Sequence, residues 1–161
     1  MIFIGDQGWF YISARDMILT GKIPLVGITS SHTWLHQGPL WTYLLGFVLW
    51  ISNYNPLSGV YFTAFLNIIT VFLVYKLGMK MFSRRVGLTS ALLYATSPLV
   101  IINSHMPYHT SPIPLLTLVL IYFIYRWIKG NVYFFPLTIL ILSLLYNFEL
   151  ATQVIWATIG V

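Results

Sequence analysis

The sequence predicts an all-α protein whose solvent is largely lipid: a polytopic integral membrane helical bundle with juxtamembrane helices at its N-terminal end. The first observation is compositional. The 161 residues are 58% apolar and 7% charged, where a soluble globular chain carries roughly 25% charged residues. The second is the 6 Trp, 11 Tyr and 11 Phe with a mean hydropathy of +0.84, more apolar surface than one small core can hide. The third is a set of uncharged apolar stretches over residues 57–75, 86–103, 112–125 and 130–148. Strands of a membrane barrel alternate over about ten residues, so these runs are expected to satisfy their backbone as helices.

At the N-terminus, MIFIGDQGWF has neither the basic start nor the long apolar core of a cleavable leader, so insertion is expected to rest on later helices. From Asp6 onward Phe10, Ala14, Met17 and Ile18 share one helical face, and Ser13, Asp16 and Thr20 the other. Gly21 and Pro24 end the pattern, which predicts a helix lying along the membrane. The Gly, Ser, Thr and Pro of residues 27–39 read as loop. Residues 40–52 are apolar but would reach only about 20 Å as a helix, too short to cross. Trp41, Tyr43, Trp50 and Tyr54 suit a second juxtamembrane helix at headgroup level.

The four longer runs are expected to be spans, the third if it extends to Ile128. Lys76, Lys80, Arg84 and Arg85 then fall between the first and second, and Arg126 and Lys129 between the third and fourth, which puts both clusters on one side. The other side holds residues 1–56, where Arg15 and Lys22 balance Asp6 and Asp16, and the uncharged loop 104–111. The positive-inside rule makes the basic side cytoplasmic and residues 1–56 an extracytoplasmic first loop. Residues 57–161 form the transmembrane region, with the start of a further span at its end. The net charge of +5 and pI near 9.6 thus mark cytoplasmic turns, and no nucleic-acid partner is expected. With no cysteine there is neither a disulfide framework nor a thiol nucleophile.

The chemistry-bearing residues gather on the outward side. Asp6 has two readings, a helix cap accepting a backbone N–H and a general base beside the bilayer. Arg15 and Asp16 are sequence neighbours that cannot face each other on a helix; they are either solvated surface or, respectively, a fork for phosphate and a residue that orients a partner. Lys22 is a headgroup anchor or a second phosphate contact. The pairs His32/His36 and His105/His109 have i, i+4 spacing, but Pro107 interrupts one and a loop holds the other, so hydrogen-bonded interfacial histidines are expected rather than a metal site. Glu149, an ionisable group at the end of a span, is a site candidate by position. P-loop, GxGxxG, GxSxG and HExxH motifs do not occur, which leaves a nucleotide-driven pump or a soluble-type hydrolase without support.

The order GDQGWFYISARD (5–16), TGKIPLVGITSS (20–31), HQGPLWTYLL (36–45) and KLGMKMFSRRVG (76–87) resembles the N-terminal part of GT-C membrane glycosyltransferases, nearest the protein-mannosyltransferase-like and lipid A aminoarabinose transferase branch. The resemblance spans nearly the whole chain, each motif being loose and the order specific. It implies a partial GT-C fold, a polyprenyl-phosphate-linked sugar donor, a glycan, lipid or protein acceptor, and transfer with inversion on the outer face of a bacterial or archaeal plasma membrane. It also implies that Asp6 is the catalytic base, with His36 and Gln37 lining the site near the donor and Arg15, Asp16 or Lys22 serving its phosphate. Where the family often has a second acidic residue this chain has Gln7, so a metal-assisted role has no clear ligand pair and no cofactor is assigned. Family members are several times longer, with a span before the acidic loop and many after this point, so the chain is expected to be a fragment truncated at both ends. The competing expectation is a noncatalytic polytopic protein, an assembly subunit or scaffold, without a cavity. The enzyme reading instead predicts Asp6, the loop holding His105 and His109, and Glu149 around one outward cavity.

Overall fold

A computed structural model describes residues 5–29 and 36–149, and within them every regular element is helical. Helix α1 (Gly5–Thr20) and α2 (Leu40–Ile51) precede α3 (Leu57–Met81), α4 (Arg84–Thr96), α5 (Pro98–Ser104), α6 (Ile113–Ile128) and α7 (Phe134–Phe148). His32 and the expected further span after Glu149 lie outside the described residues.

Helix α1 stops where its sequence says it should. Gly21 takes φ +68, a left-handed conformation that costs glycine little, and its N–H closes the last turn on the Met17 carbonyl at 3.0 Å. The face buried is Gln7, Phe10 and Ala14, with Met17 and Ile18 half-buried. Phe10 and Ala14 join Trp41, Leu45 and Leu49 of α2 and Phe148 of α7 in one apolar cluster. Gly46 lies where α2 crosses α1, and a Cβ there would run into the Met17 side chain. The Tyr11 hydroxyl donates to the Pro56 carbonyl at 2.7 Å, tying α1 to the entrance of α3.

The helices differ in reach. Helix α3, with 25 residues, is the one described helix long and apolar enough to cross a bilayer alone. The expected continuous span 86–103 is instead broken into α4 and α5, bent by 62°. Pro98 has no N–H to give the helix, and it drives the preceding Ser97 to extended backbone at φ −64, ψ 123. Helices α6 and α7, with 16 and 15 residues, would rise about 24 and 22 Å. The run 130–148 loses its first residues to a turn in which Gly130 adopts φ +91. By length and composition the four expected crossings reduce to one helix, or two if the bent pair is one span.

Helix pairing is governed by small residues and one apolar seam. A Cβ on Gly78 would lie 2.7 Å from the Gly87 Cα, and one on Gly87 2.6 Å from the Tyr75 carbonyl oxygen, so α3 and α4 touch backbone to backbone. Leu120, Ile141, Leu142 and Leu145 close α6 on α7. Away from these seams the apolar faces stay open: Ile68 is 67% and Leu93 71% exposed, as expected for helices facing lipid. Lys80 Nζ donates to the Tyr122 hydroxyl at 3.2 Å, bringing both basic turns to one end of the bundle. The loop 105–112 and Glu149 gather with α1 and α2 at the other end.

Candidate functional site

The far end is organised by backbone pairing. Gly27 N–H donates to the Gln37 carbonyl at 2.8 Å and Gln37 N–H to the Ile28 carbonyl at 3.0 Å, with Thr29 and His36 forming an antiparallel bridge. Asn147 of α7 then holds the entrance of α2. Its backbone carbonyl accepts from Gly38 N–H at 3.0 Å and its side-chain oxygen accepts from Leu40 N–H at 3.1 Å. Leu40 begins a helix preceded by Pro39, which supplies no side-chain cap, so Asn147 satisfies a donor that helix geometry leaves orphaned. A Cβ on Gly38 would collide with the Asn147 side chain.

These contacts aim Gln37 at His109. The buried His109 ring has its Nε2 3.0 Å from Glu149 Oε2 and 3.2 Å from the Gln37 amide nitrogen. A carboxylate only accepts, so the ring donates its Nε2 proton to Glu149. The Gln37 oxygen is buried without a partner, and turning that amide over would offer Nε2–H a second acceptor. Burial holds His109 below the ordinary histidine value, outweighing the hydrogen bond and charge of Glu149 that act in the opposite direction. The ring is therefore neutral near pH 7.

Tyr108 links this cluster to Asp6. Its ring packs on His109 at 4.2 Å between centroids, Phe10 lies edge-on to it at 6.1 Å, and its hydroxyl donates to Asp6 Oδ2 at 2.7 Å. Burial first, then the hydrogen bond to Asp6 and the charges of Asp6 and Glu149, push the Tyr108 hydroxyl up to about 12. It remains a donor through the physiological range. Asp6 itself stands in the first turn of α1, where the helix dipole favours a negative charge.

Asp6 and Tyr108 form part of the wall of a cavity of about 420 Å³ between α1, α3, α4, α5 and the start of α6. Thr110 and Ser111 add hydroxyls to it, Asn67, Tyr94 and Asn103 add polar groups on the helices, and Leu99 and Met106 supply apolar wall. One side thus offers hydrogen bonds and a carboxylate, and the rest can hold an apolar chain.

Of the residues expected in the site, Asp6 lines the cavity; His109 does not, but packs on Tyr108, and Gln37 and Glu149 contact His109. His36 is exposed at its bridge. His105 is also exposed, its Nδ1 2.7 Å from the Ile101 carbonyl and 3.1 Å from Ser104 Oγ, a contact at the end of α5 that does not join His109. Arg15 is about 13 Å along α1 from Asp6, in a small groove with Tyr11, Leu49 and Tyr54. Asp16 and Lys22 border a separate open groove with Trp9 and Pro24. Among the described residues no three His, Asp or Glu gather closely enough to hold a metal. Sequence reasoning passed over Tyr108 and Asn147. Tyr108 could have been suspected from its place between Pro107 and His109 in a loop already singled out, whereas Asn147 carries no local signal.

The described residues form an all-helical bundle with wide apolar faces and a partly polar cavity at one end. The family model for dolichyl-phosphate-mannose-protein mannosyltransferase matches residues 36–158, and the chain belongs to that family, a membrane-integral group of glycosyltransferases of the GT-C type. The match opens at the HQGPL segment and takes in the Gln37–His109–Glu149 cluster; Asp6, Arg15, Asp16 and Lys22 precede it. No curated protein and no solved structure matches the chain.

Proposed function

We propose that this protein transfers a sugar from a polyprenyl-phosphate donor to an acceptor hydroxyl or amine, with inversion, on the extracytoplasmic side of the membrane. The observation that carries the reading is the Asp6 carboxylate, held by the Tyr108 hydroxyl at 2.7 Å, in the wall of a cavity with both polar and apolar surfaces. Such a cavity also favours an enzyme over a noncatalytic scaffold. The acceptor oxygen or nitrogen attacks the anomeric carbon from the side opposite the phosphate, the bond from that carbon to the phosphate oxygen breaks, and the acceptor proton passes to Asp6. Phosphate is a fair leaving group, so the protein's main tasks are proton removal and alignment. Tyr108, which keeps its own proton, holds the carboxylate in place. Thr110 and Asn103 offer the cavity donors for phosphate or sugar oxygens, the Ser111 hydroxyl proton being held by the Met106 carbonyl at 3.1 Å. Arg15 and Lys22 belong to other grooves, so a role for them on the phosphate requires the donor headgroup to extend along α1.

The test is sugar release from polyprenyl-phosphate mannose, and from other polyprenyl-phosphate sugars, in membranes holding the protein and its Asp6→Asn variant. Loss of a general base costs about 10²- to 10⁴-fold in rate. Turnover equal to wild type would remove Asp6 from the mechanism. Sidedness is tested by cysteine labelling, which the absence of native cysteine makes clean. Ser13→Cys should react with an impermeant reagent from outside and Ser83→Cys only from the cytosol; the reverse pattern would overturn the orientation.

A further inference from the structure

Another depression is a groove of about 450 Å³ at the basic end, on the seam between α3 and α6. Its floor and walls are apolar: Leu73 and Leu77 come from one helix, Leu118 and Val119 from the other. Lys76 and Lys80 line the same groove. Positions 73, 76, 77 and 80 are spaced i, i+3, i+4 and i+7, so α3 presents leucines and lysines along a single stripe. Lys80 is held at the rim by Tyr122 of α6, with Nζ 3.2 Å from the hydroxyl and 4.6 Å from the ring centroid. The Lys76 ammonium lies 5.3 Å from the Phe72 ring centroid.

Among the described residues this end of the bundle has no carboxylate side chain. The chain contains three acidic residues; Asp6 and Asp16 are on α1 and Glu149 is bonded to His109. Lys76, Lys80, Arg84, Arg85, Arg126 and Lys129 therefore stand together without a carboxylate among them. An aromatic ring attracts a cation but leaves its full charge in place. We propose that the groove binds one anionic phospholipid, its acyl chain along Leu73, Leu77 and Val119 and its phosphate between Lys76 and Lys80. The membrane surface supplies a ligand that is apolar below and anionic above, matching the order of surfaces here. An uncharged protein helix would fit the apolar part but leave both ammonium groups without an anion.

The experiment uses the purified protein in nonionic detergent, titrated with phosphatidylglycerol or phosphatidylcholine while its melting temperature is followed. Phosphatidylglycerol is expected to stabilise saturably and phosphatidylcholine to have little effect, because binding to the folded state raises apparent stability. The double variant Lys76→Gln/Lys80→Gln is expected to bind phosphatidylglycerol about 30-fold more weakly. Arg84→Gln/Arg85→Gln, in the adjoining turn but outside the groove, should keep the response, and Val119→Trp, which fills the groove and leaves the charges alone, should lose it. Equal responses to the two lipids would overturn the proposal, as would an unaffected Lys76/Lys80 variant. So would a Val119→Trp variant that binds like wild type, since the lysines would then act as surface charge alone. None of these readouts depends on glycosyl transfer.

Discussion

The two ends of this bundle handle charge in opposite ways. At the Asp6 end, ionisable groups hold one another: Asp6 bonds to Tyr108, Tyr108 packs at a tilt on His109, and His109 bonds to Glu149. At the basic end, cations lie over rings: Lys80 over Tyr122, Lys76 over Phe72 and Arg126 over Phe134. The first arrangement fixes one geometry, because each hydrogen bond is directional and His109 is buried. The second leaves the Lys76 and Lys80 ammonium groups exposed and free to shift, and suits a membrane surface better than a reaction. A rigid polar cluster and a loose cationic rim therefore mark different tasks on one helical scaffold.

The contrast is testable by how much each end resists change. The largest effect after Asp6→Asn is expected from Glu149→Leu, which removes the carboxylate that accepts the buried His109 N–H and costs about 1–3 kcal/mol, less where a turned-over Gln37 amide takes its place. Glu149→Gln keeps an acceptor and should cost less, a difference visible in melting temperatures. Gly38→Ala, which must displace the Asn147 side chain and with it the bond to Leu40, should destabilise by about 1–3 kcal/mol. A normal melting temperature for that variant would mean that Asn147 can swing away freely. Tyr108→Phe removes the hydroxyl but keeps the ring packing on His109, and should lower turnover more than it lowers stability, with the loss in kcat rather than KM.

The pH response should follow His109. Its folded value lies below 6.5 because of burial, so below that pH the unfolded chain takes up a proton that the folded chain refuses. Stability is then present above pH 6.5 and falls as the pH drops through the lowered value. A His109→Phe variant should show a shallower acid limb in thermal melts, and an unchanged limb would assign it elsewhere. The smallest effect is expected at the basic end, where Lys80→Gln should shift stability by no more than about 0.5 kcal/mol in the absence of lipid.

Much of the fold can be read locally. The end of α1 is set by Gly21, the wide apolar faces by the long uncharged runs, and the common end of the two basic clusters by the number of helices between them. The break between α4 and α5 was also written in the chain, since Pro98 and its effect on Ser97 are local; an uncharged run alone hides it, because charge says nothing about backbone hydrogen bonding. In the site, Asp6 and the loop 104–111 meet at the cavity, while Glu149 lies outside its wall, bonded to His109. That wiring was not legible in the sequence. Two histidines at i, i+4 spacing look equivalent in sequence, yet His105 stays at the end of α5 while His109 turns inward between Gln37 and Glu149.

The amino-acid order by itself determined the solvent of this protein, the helical state of its backbone and the end at which its few carboxylates lie, because hydrophobicity, helix breaks and charge counts act over a turn or a span. Only the tertiary structure decided that Tyr108 meets Asp6 and that Asn147 holds the entrance to α2. Those contacts join residues separated by 102 and 107 positions. Hydrogen bonds a few ångströms long, formed across packed helices, depend on helix rotation and loop closure that no local pattern encodes.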